Sequence, residues 1–344
     1  MKWGEDDDGA LICRAVWAET RDVKTFLFAP VAGARFAFFA GQFLTFTFPI
    51  NGAELQRCYT IASPPSRPGC VAITVKRKPG GIVSSWLHDV MRPGMMVTAT
   101  GAMGDFTEAT PKRSKWVLLT AGSGITPAMS MLRHAADLGL DRDIVLINSA
   151  HTPADLIFHQ ELHLLARTLH SLRICHLVSQ GGSEWSGITG RLSRHVLDLV
   201  VPDWHERSLL SCGPAGYGAS LHAILAEVAF DLTHFHTESF TFDEGVETPT
   251  TANDTDARRF TIQFARSGKS IFCDATTTVL AATREAGLRL PFSCAKGVCG
   301  TCKTKILSGE VEMKHGGGIR PKEVAQGLAL LCCSRPLSDL VIDR

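Results

Sequence analysis

The chain has 344 residues, of which 45% are hydrophobic and 20% charged, with a formal net charge of +1. These values describe an ordinary globular protein of two or three domains. They exclude a strongly basic nucleic-acid binder, and no apolar run approaches the ~18 residues of a membrane span, so neither nucleic acid nor membrane is an expected partner.

The N-terminal MKWGEDDDGA is acidic and has no apolar core, so no secretory signal is expected. Eleven cysteines without an export signal point to thiols or metal ligands in a reducing, cytoplasmic setting. The first ~110 residues read as short strands. AVWAET, TFLFAP, FLTFTFPI and CVAITVKRK are rich in β-branched and aromatic residues and are punctuated by turn signals. That spacing predicts an antiparallel barrel or sandwich, interrupted by one helix around Val83–Val90.

Within this region Arg57-Cys58-Tyr59-Thr60 follows a turn and is expected to begin a strand. An arginine fork can pair with a phosphate, and Tyr59, two residues on and on the same face, can lay its ring on a flat cofactor. Thr60 can offer a hydroxyl to its polar edge. Gly80-Gly81-Ile82-Val83-Ser84-Ser85 then opens the helix, whose free N–H groups suit a pyrophosphate.

From Lys115 onward strands alternate with helices. WVLLTA, DIVLINSA, RICHLVS and SLLSC are the strands; PAMSMLRHAADLG, LIFHQELHLLARTL and Ala215–Ala229 are the helices. This order implies parallel βαβ units. Gly122-Ser123-Gly124-Ile125-Thr126-Pro127 and Cys212-Gly213-Pro214 both sit between a strand and a helix, where open α/β sheets bind nucleotides. No convincing basic pair follows DIVLINSA to hold a 2′-phosphate, which favours NADH over NADPH; His151 is the one residue that argues otherwise.

Residues 243–258, DEGVETPTTANDTDAR, lack apolar periodicity and read as a linker. After it come a hairpin (RFTIQFAR, SIFCDA), a helix (TVLAATREAG) and the loop Cys294-Ala295-Lys296-Gly297-Val298-Cys299-Gly300-Thr301-Cys302. Its C-x4-C-x2-C spacing, with Cys332 thirty positions further on, is that of plant-type [2Fe–2S] ligands. Small residues between the cysteines let backbone N–H groups approach the sulfides. Four thiolates also suit zinc, but structural zinc sites pair one C-x2-C with another close pair. Spacing alone does not choose between Cys332 and Cys333. From Arg259 to Arg344 there are 13 basic and 7 acidic residues, a local excess of +6 against −5 for the preceding part. Such a field can steer an acidic protein partner.

Taken together, R-C-Y-T at 57–60, V-K-R-K-P-G-G-I-V-S-S at 75–85, A-G-S-G-I-T-P at 121–127, C-G-P at 212–214, H-T-E-S-F at 236–240 and the cysteine loop resemble the ferredoxin-NADP reductase superfamily carrying a C-terminal ferredoxin domain. The resemblance implies a multidomain α/β plus β chain. It has an FAD-binding antiparallel β-barrel (1–112), a parallel α/β NAD(P)H-binding domain (113–242), a linker (243–258) and a β-grasp [2Fe–2S] domain (259–344). It implies that Arg57, Tyr59, Thr60, Val75, Lys76, Gly81, Val83 and Ser84 hold the flavin, FAD rather than FMN. Gly122, Gly124, Gly213 and Pro214 would hold the nucleotide. Thr126, Cys212 and Glu238, with Phe240 nearby, would stand at the flavin–nicotinamide junction as the catalytic group, setting geometry rather than exchanging protons. The ending L-C-C-S-R-P-L-S-D matches the family's last-ligand motif and selects Cys332 beside Cys294, Cys299 and Cys302. The nearest groups are reductase components of Rieske oxygenases, notably those demethylating glycine betaine, and the NADH oxidoreductase of hybrid-cluster protein. The implied partner is an electron-accepting oxygenase component. The alternative of another class is a passive redox sensor or carrier, which would hold a cluster without rapid NADH turnover.

Overall fold

A computed structural model describes residues 2–4, 7–239, 258–288, 290, 297, 300 and 302–344. The chain divides into two compact units, Met1–Thr241 and Phe242–Arg344.

The first unit begins with an antiparallel barrel. Its strands are β1 (Asp8–Thr20), β2 (Val23–Pro30), β3 (Phe43–Ile50), β4 (Ala53–Thr60), β5 (Val71–Lys76) and β6 (Met96–Thr100), with α1 (Ile82–Asp89) between the last two. The order across the sheet is β4-β3-β6-β1-β2-β5. A bridge between Ile61 and Ile73 joins its two edges. Phe26, Phe28, Leu44, Phe46 and Phe48 fill the interior. β3 and β4 meet in a two-residue turn at Asn51-Gly52, both at positive φ (52° and 76°). That conformation matches the twist of a hairpin and suits Asn-Gly. Its consequence corrects the sequence reading: the chain pairs at once after Gly52, so Arg57–Thr60 end a strand rather than begin one.

The second half of this unit is a parallel sheet of β7 (Trp116–Ala121), β8 (Ile144–Ala150), β9 (Leu172–Val178), β10 (Ile188–Thr189), β11 (Ser208–Gly213) and β12 (Phe235–Ser239). Its order is β10-β9-β8-β7-β11-β12. The chain winds outward from β7 on one side and returns to β11 on the other. The switch point therefore lies between β7 and β11, and a crevice opens beyond their carboxyl ends. Helices α2 (Ile125–Leu138) and α3 (His159–Thr168) cover one face; α4 (Arg194–Val200) and α5 (Ala215–Glu227) cover the other. The apolar spacing from Leu156 suggested a longer α3. Phe158 instead adopts a left-handed conformation (φ 58°), which sends Leu156, Ile157 and Phe158 into the core ahead of the helix.

α2 is also the joint to the barrel. The Arg133 guanidinium, almost fully buried, donates to the Ala62 carbonyl at 2.6 Å and to both carboxylate oxygens of Glu161 on α3 at 2.7 and 2.6 Å. Ser130 Oγ donates to the Ser63 carbonyl at 2.8 Å.

The second unit holds a mixed sheet of β13 (Arg259–Phe264), β14 (Ser270–Asp274), β15 (Lys303–Ser308), β17 (Leu328–Leu330) and β19 (Leu340–Ile342), in the order β14-β13-β19-β15-β17. Strands β16 (Val311–Met313) and β18 (Ser334–Pro336) form a small pair. α6 (Val279–Glu285) lays Val279, Leu280 and Ala282 onto Ile262, Phe264, Leu340 and Ile342 of the sheet. This is the β-grasp arrangement. α7 (Pro321–Ala325) is a short turn of helix before β17.

Candidate functional site

The carboxyl end of β4 carries the first group of candidate residues. Tyr59 packs its ring edge-on to Phe46 and Phe48, each at 6.2 Å between centroids. Burial raises its phenol above the usual range. The Arg57 guanidinium donates to the neighbouring Gln56 carbonyl at 2.7 Å. Thr60 Oγ1 is buried with no hydrogen-bond partner among the described residues. A buried hydroxyl left without a partner is costly unless a ligand satisfies it.

α1 presents the second group. Gly81 is its N-cap, extended, and no side chain caps the helix. A Cβ at Gly81 would meet Ser84 Oγ at 2.6 Å, so glycine keeps this entrance open. Ser84 Oγ accepts from the Lys78 N–H at 3.1 Å, Val83 is buried, and the free N–H groups of the first turn form an anion site. Val75 is buried in β5, while the Lys76 ammonium pairs with Asp22 at 3.3 Å. Trp86 tilts its ring against Phe48 at 5.9 Å between centroids, beside Tyr59, an aromatic neighbour not singled out from sequence, although the helix period after Val83 would have flagged it.

The glycine turns meet at the switch point. β7 runs into Gly122 (φ 55°), and the turn leads directly into α2. A Cβ on Gly124 would stand 2.1 Å from the Cys212 carbonyl oxygen, so only glycine lets this turn cross over β11. Thr126 is buried, its Oγ1 donating to the Ser123 carbonyl at 3.0 Å. On β11, Cys212 pairs in register with Thr120 of β7 on one side and Glu238 of β12 on the other. Gly213 follows against the Tyr217 ring, and Pro214 caps α5. Tyr217 was not foreseen; nothing local marks it.

The electrostatics here are unusual. Burial pushes the Cys212 thiol well above its usual range, and the Glu238 charge adds to this. Burial raises the Glu238 carboxyl to about 8, and its Oε2 is inaccessible and unpartnered among the described residues. Carboxyls displaced this far toward neutrality cluster at functional sites. The topology thus places Cys212, Gly213 and the turn that leads to Thr126 at the switch point, with Glu238 on the next strand in register with Cys212. Phe240 lies outside the described residues. His151, at the end of β8, shares a 3.3 Å contact with Ser179 Oγ.

In the second unit, Cys302 and Cys332 are buried; Cys294 and Cys299 lie outside the described residues. The Gly297 N–H donates to Cys332 Sγ at 3.2 Å, whereas Cys333 Sγ donates to the Leu330 carbonyl at 3.5 Å. A Cβ on Gly297 (φ 71°) would strike Cys333 Sγ at 2.8 Å and the His315 backbone at 2.9 Å. A backbone N–H aimed at a buried cysteine sulfur, from a glycine that tolerates no side chain, fits an iron–sulfur site. Beside it lies a compact ionic network. Lys303 Nζ and the Arg320 guanidinium both reach Glu323 Oε1, at 2.7 and 3.1 Å. Burial works to raise the Glu323 carboxyl, but hydrogen bonds from Arg320 and Lys303 outweigh it and hold it at about 2.

A barrel edge with a buried, unpartnered hydroxyl, glycine turns at a switch point and a buried cysteine sulfur that accepts a backbone N–H fit an NAD(P)H-dependent oxidoreductase, and similarity to known proteins shows that class. Three family models match along the chain: an oxidoreductase FAD-binding domain over 15–107, an oxidoreductase NAD-binding domain over 118–221 and a 2Fe-2S iron-sulfur cluster binding domain over 262–337. The glycine betaine monooxygenase reductase subunit of Chromohalobacter salexigens is 39% identical, over 96% of this chain and 94% of its own. NADH oxidoreductase HCR of Escherichia coli is 33% identical over 94% of each. The solved structure of phthalate dioxygenase reductase superposes with a TM-score of 0.60 at 26% identity, covering 98% of both chains. This chain belongs to the ferredoxin-NADP reductase superfamily, in the branch that carries its own [2Fe–2S] ferredoxin domain. Its domains serve FAD, a nicotinamide nucleotide and a [2Fe–2S] cluster.

Proposed function

We propose that this chain draws electrons from NADH and delivers them singly to a separate Rieske-type oxygenase component, with quaternary ammonium compounds such as glycine betaine as the substrate class of that partner. When bound, FAD supplies a carrier that accepts a hydride and yields its electrons one at a time, and the cluster supplies a one-electron outlet. The reading rests on the Gly122–Gly124 turn crossing Cys212 at the switch point, with Glu238 in register beside it, in a sheet bolted by Arg133 to the barrel. The same-length relative from C. salexigens supports the partner.

Each residue group then has a task. Arg57, Thr60 and the open α1 entrance at Gly81 and Ser84 bind the flavin's polar groups, with Tyr59 and the backbone of Val75, Lys76 and Val83 walling the ring. Gly122 and Gly124 keep the crevice shallow enough for a dinucleotide, and Gly213 and Pro214 hold its far side. Thr126, Cys212 and Glu238, with Phe240, orient the nicotinamide and exclude water, so that hydride moves in a dry, fixed geometry. Cys294, Cys299, Cys302 and Cys332 hold the irons. The division is 1–112, 113–242, a linker at 243–258 and 259–344, and the setting is the cytoplasm. Among the described residues no helix is long and apolar enough to cross a membrane.

Anaerobic addition of NADH to the purified protein tests the reading. Rapid loss of visible absorbance with NADH, much slower loss with NADPH, and FAD released on boiling are the expected results. A spectrum unmoved by either nucleotide would refute it. For the partner, an oxygenase component acting on glycine betaine should be stimulated. Reduction of hybrid-cluster protein without such stimulation would transfer the assignment to that second acceptor, which the 33% identity to NADH oxidoreductase HCR favours next.

A further inference from the structure

Away from the switch point, three imidazoles meet between α3 and β9. His159 opens α3 and His163 stands one turn later, so both occupy one face of the helix. His176 lies on β9, where alternation turns it to the same side as Leu172 and Ile174, the side that packs on α3. Ring centroids are 4.7 Å apart for His159–His163, 4.8 Å for His159–His176 and 5.9 Å for His163–His176. The Nε2 atoms of His159 and His163 are 3.1 Å apart, and one nitrogen from each of the three rings falls within 4.8 Å of the others. Both ring nitrogens of His176 are inaccessible and have no hydrogen-bond partner among the described residues. No carboxylate forms an ion pair with any of the three among those residues.

His159 and His163 satisfy one another through a single shared hydrogen bond, but His176 has no partner among the described residues, and ring nitrogens converging around an unpartnered imidazole invite a cation. We propose that His159, His163 and His176 bind a divalent transition-metal ion, Zn²⁺ foremost. Imidazole selects zinc and its neighbours, and the absence of a carboxylate argues against calcium or magnesium. At Zn–N distances of about 2.0–2.1 Å, tetrahedral ligands stand about 3.3 Å apart. The His159–His163 pair, at 3.1 Å, is close to that separation, and binding would draw the His176 nitrogen, within 4.8 Å of both, toward it. Water fills the fourth position on the side of exposed His163. The site pins the first turn of α3 to β9. With β8 between β9 and the switch-point strand β7, its effect falls on stability rather than on hydride transfer.

The test uses the full chain with FAD and cluster loaded, equilibrium dialysis against ZnCl2, metal analysis and thermal melting. Wild type should take up one equivalent of zinc at micromolar concentration and melt at a higher temperature with it. His163→Gln, at an exposed position, and His159→Gln should weaken that uptake by about 100-fold and lose the melting shift. His195→Gln, an exposed histidine elsewhere, should bind as wild type, and NADH–ferricyanide turnover should be the same in all. Equal zinc uptake by wild type and His163→Gln, or uptake by wild type only at millimolar zinc, overturns the proposal.

Discussion

At the scale of single residues, Cys332 and Cys333 are neighbours with different surroundings. Only Cys332 accepts the Gly297 N–H; Cys333 spends its thiol on the Leu330 carbonyl. Replacing Cys332 with serine should therefore strip iron from the protein, while Cys333→Ser should keep it. Iron analysis of the two variants decides, and equal loss from both would break the assignment. Glu238 makes a second claim. With its carboxyl raised to about 8 by burial, it is protonated at neutral pH and ionises beside Cys212 only above that value. A carboxyl whose folded pKa exceeds its unfolded value of about 4.3 makes the native state bind more protons between those limits, so stability falls as pH rises across them. The rate of anaerobic absorbance loss with NADH should likewise decline as pH passes about 8. Glu238→Gln should flatten that decline and gain stability at pH 9 relative to pH 5; a profile identical to wild type would show that this carboxyl does not titrate there.

At the scale of elements, α2 does two things at once: its first turn borders the crevice and its third fastens the barrel. Arg133 is buried and donates three hydrogen bonds, one to the Ala62 carbonyl and two to Glu161, while its guanidinium lies 4.8 Å from the Phe158 ring centroid. Removing one partner of a buried pair costs about 3–5 kcal/mol. Because the Glu161 side chain is 39% exposed and regains water, Arg133→Ala should cost less, about 2–3 kcal/mol. Chemical denaturation would read this, and nucleotide affinity should fall with it as the barrel loosens from the sheet. None of this was legible in the sequence, because Ala62 and Glu161 lie 71 and 28 positions from Arg133. What periodicity and glycine turns did reveal were the strands β7, β8, β9 and β11 and the turn at Gly122–Gly124, all fixed by local rules. The register at Arg57–Thr60 was misjudged because the turn signal at 49–52 does not say how soon pairing resumes. The left-handed Phe158 was invisible because burial of three apolar residues, not helix propensity, decides it.

At the scale of the whole molecule, the chain parts at Thr241 into a unit that holds the crevice and a unit that holds the cysteine loop. Spacing alone revealed the loop, since three thiolates within nine residues leave little freedom; which partner the outlet serves depends on surfaces that no motif encodes. The division makes the order of electron flow testable. Ferricyanide is a small acceptor that can take electrons at the crevice end, whereas cytochrome c, a whole protein too bulky for the crevice, is expected to draw on the cluster. In the full-length Cys299→Ser variant the first unit keeps every residue of its crevice, so NADH–ferricyanide turnover should stay near wild type. Cytochrome c reduction should fall by at least tenfold, more than 1.4 kcal/mol in the effective barrier. If both activities fell together, the cysteine loop would have to act before or within hydride transfer, and the division of labour between the two units would be wrong. If neither fell, cytochrome c would be drawing on the crevice directly and the loop would lie off the path.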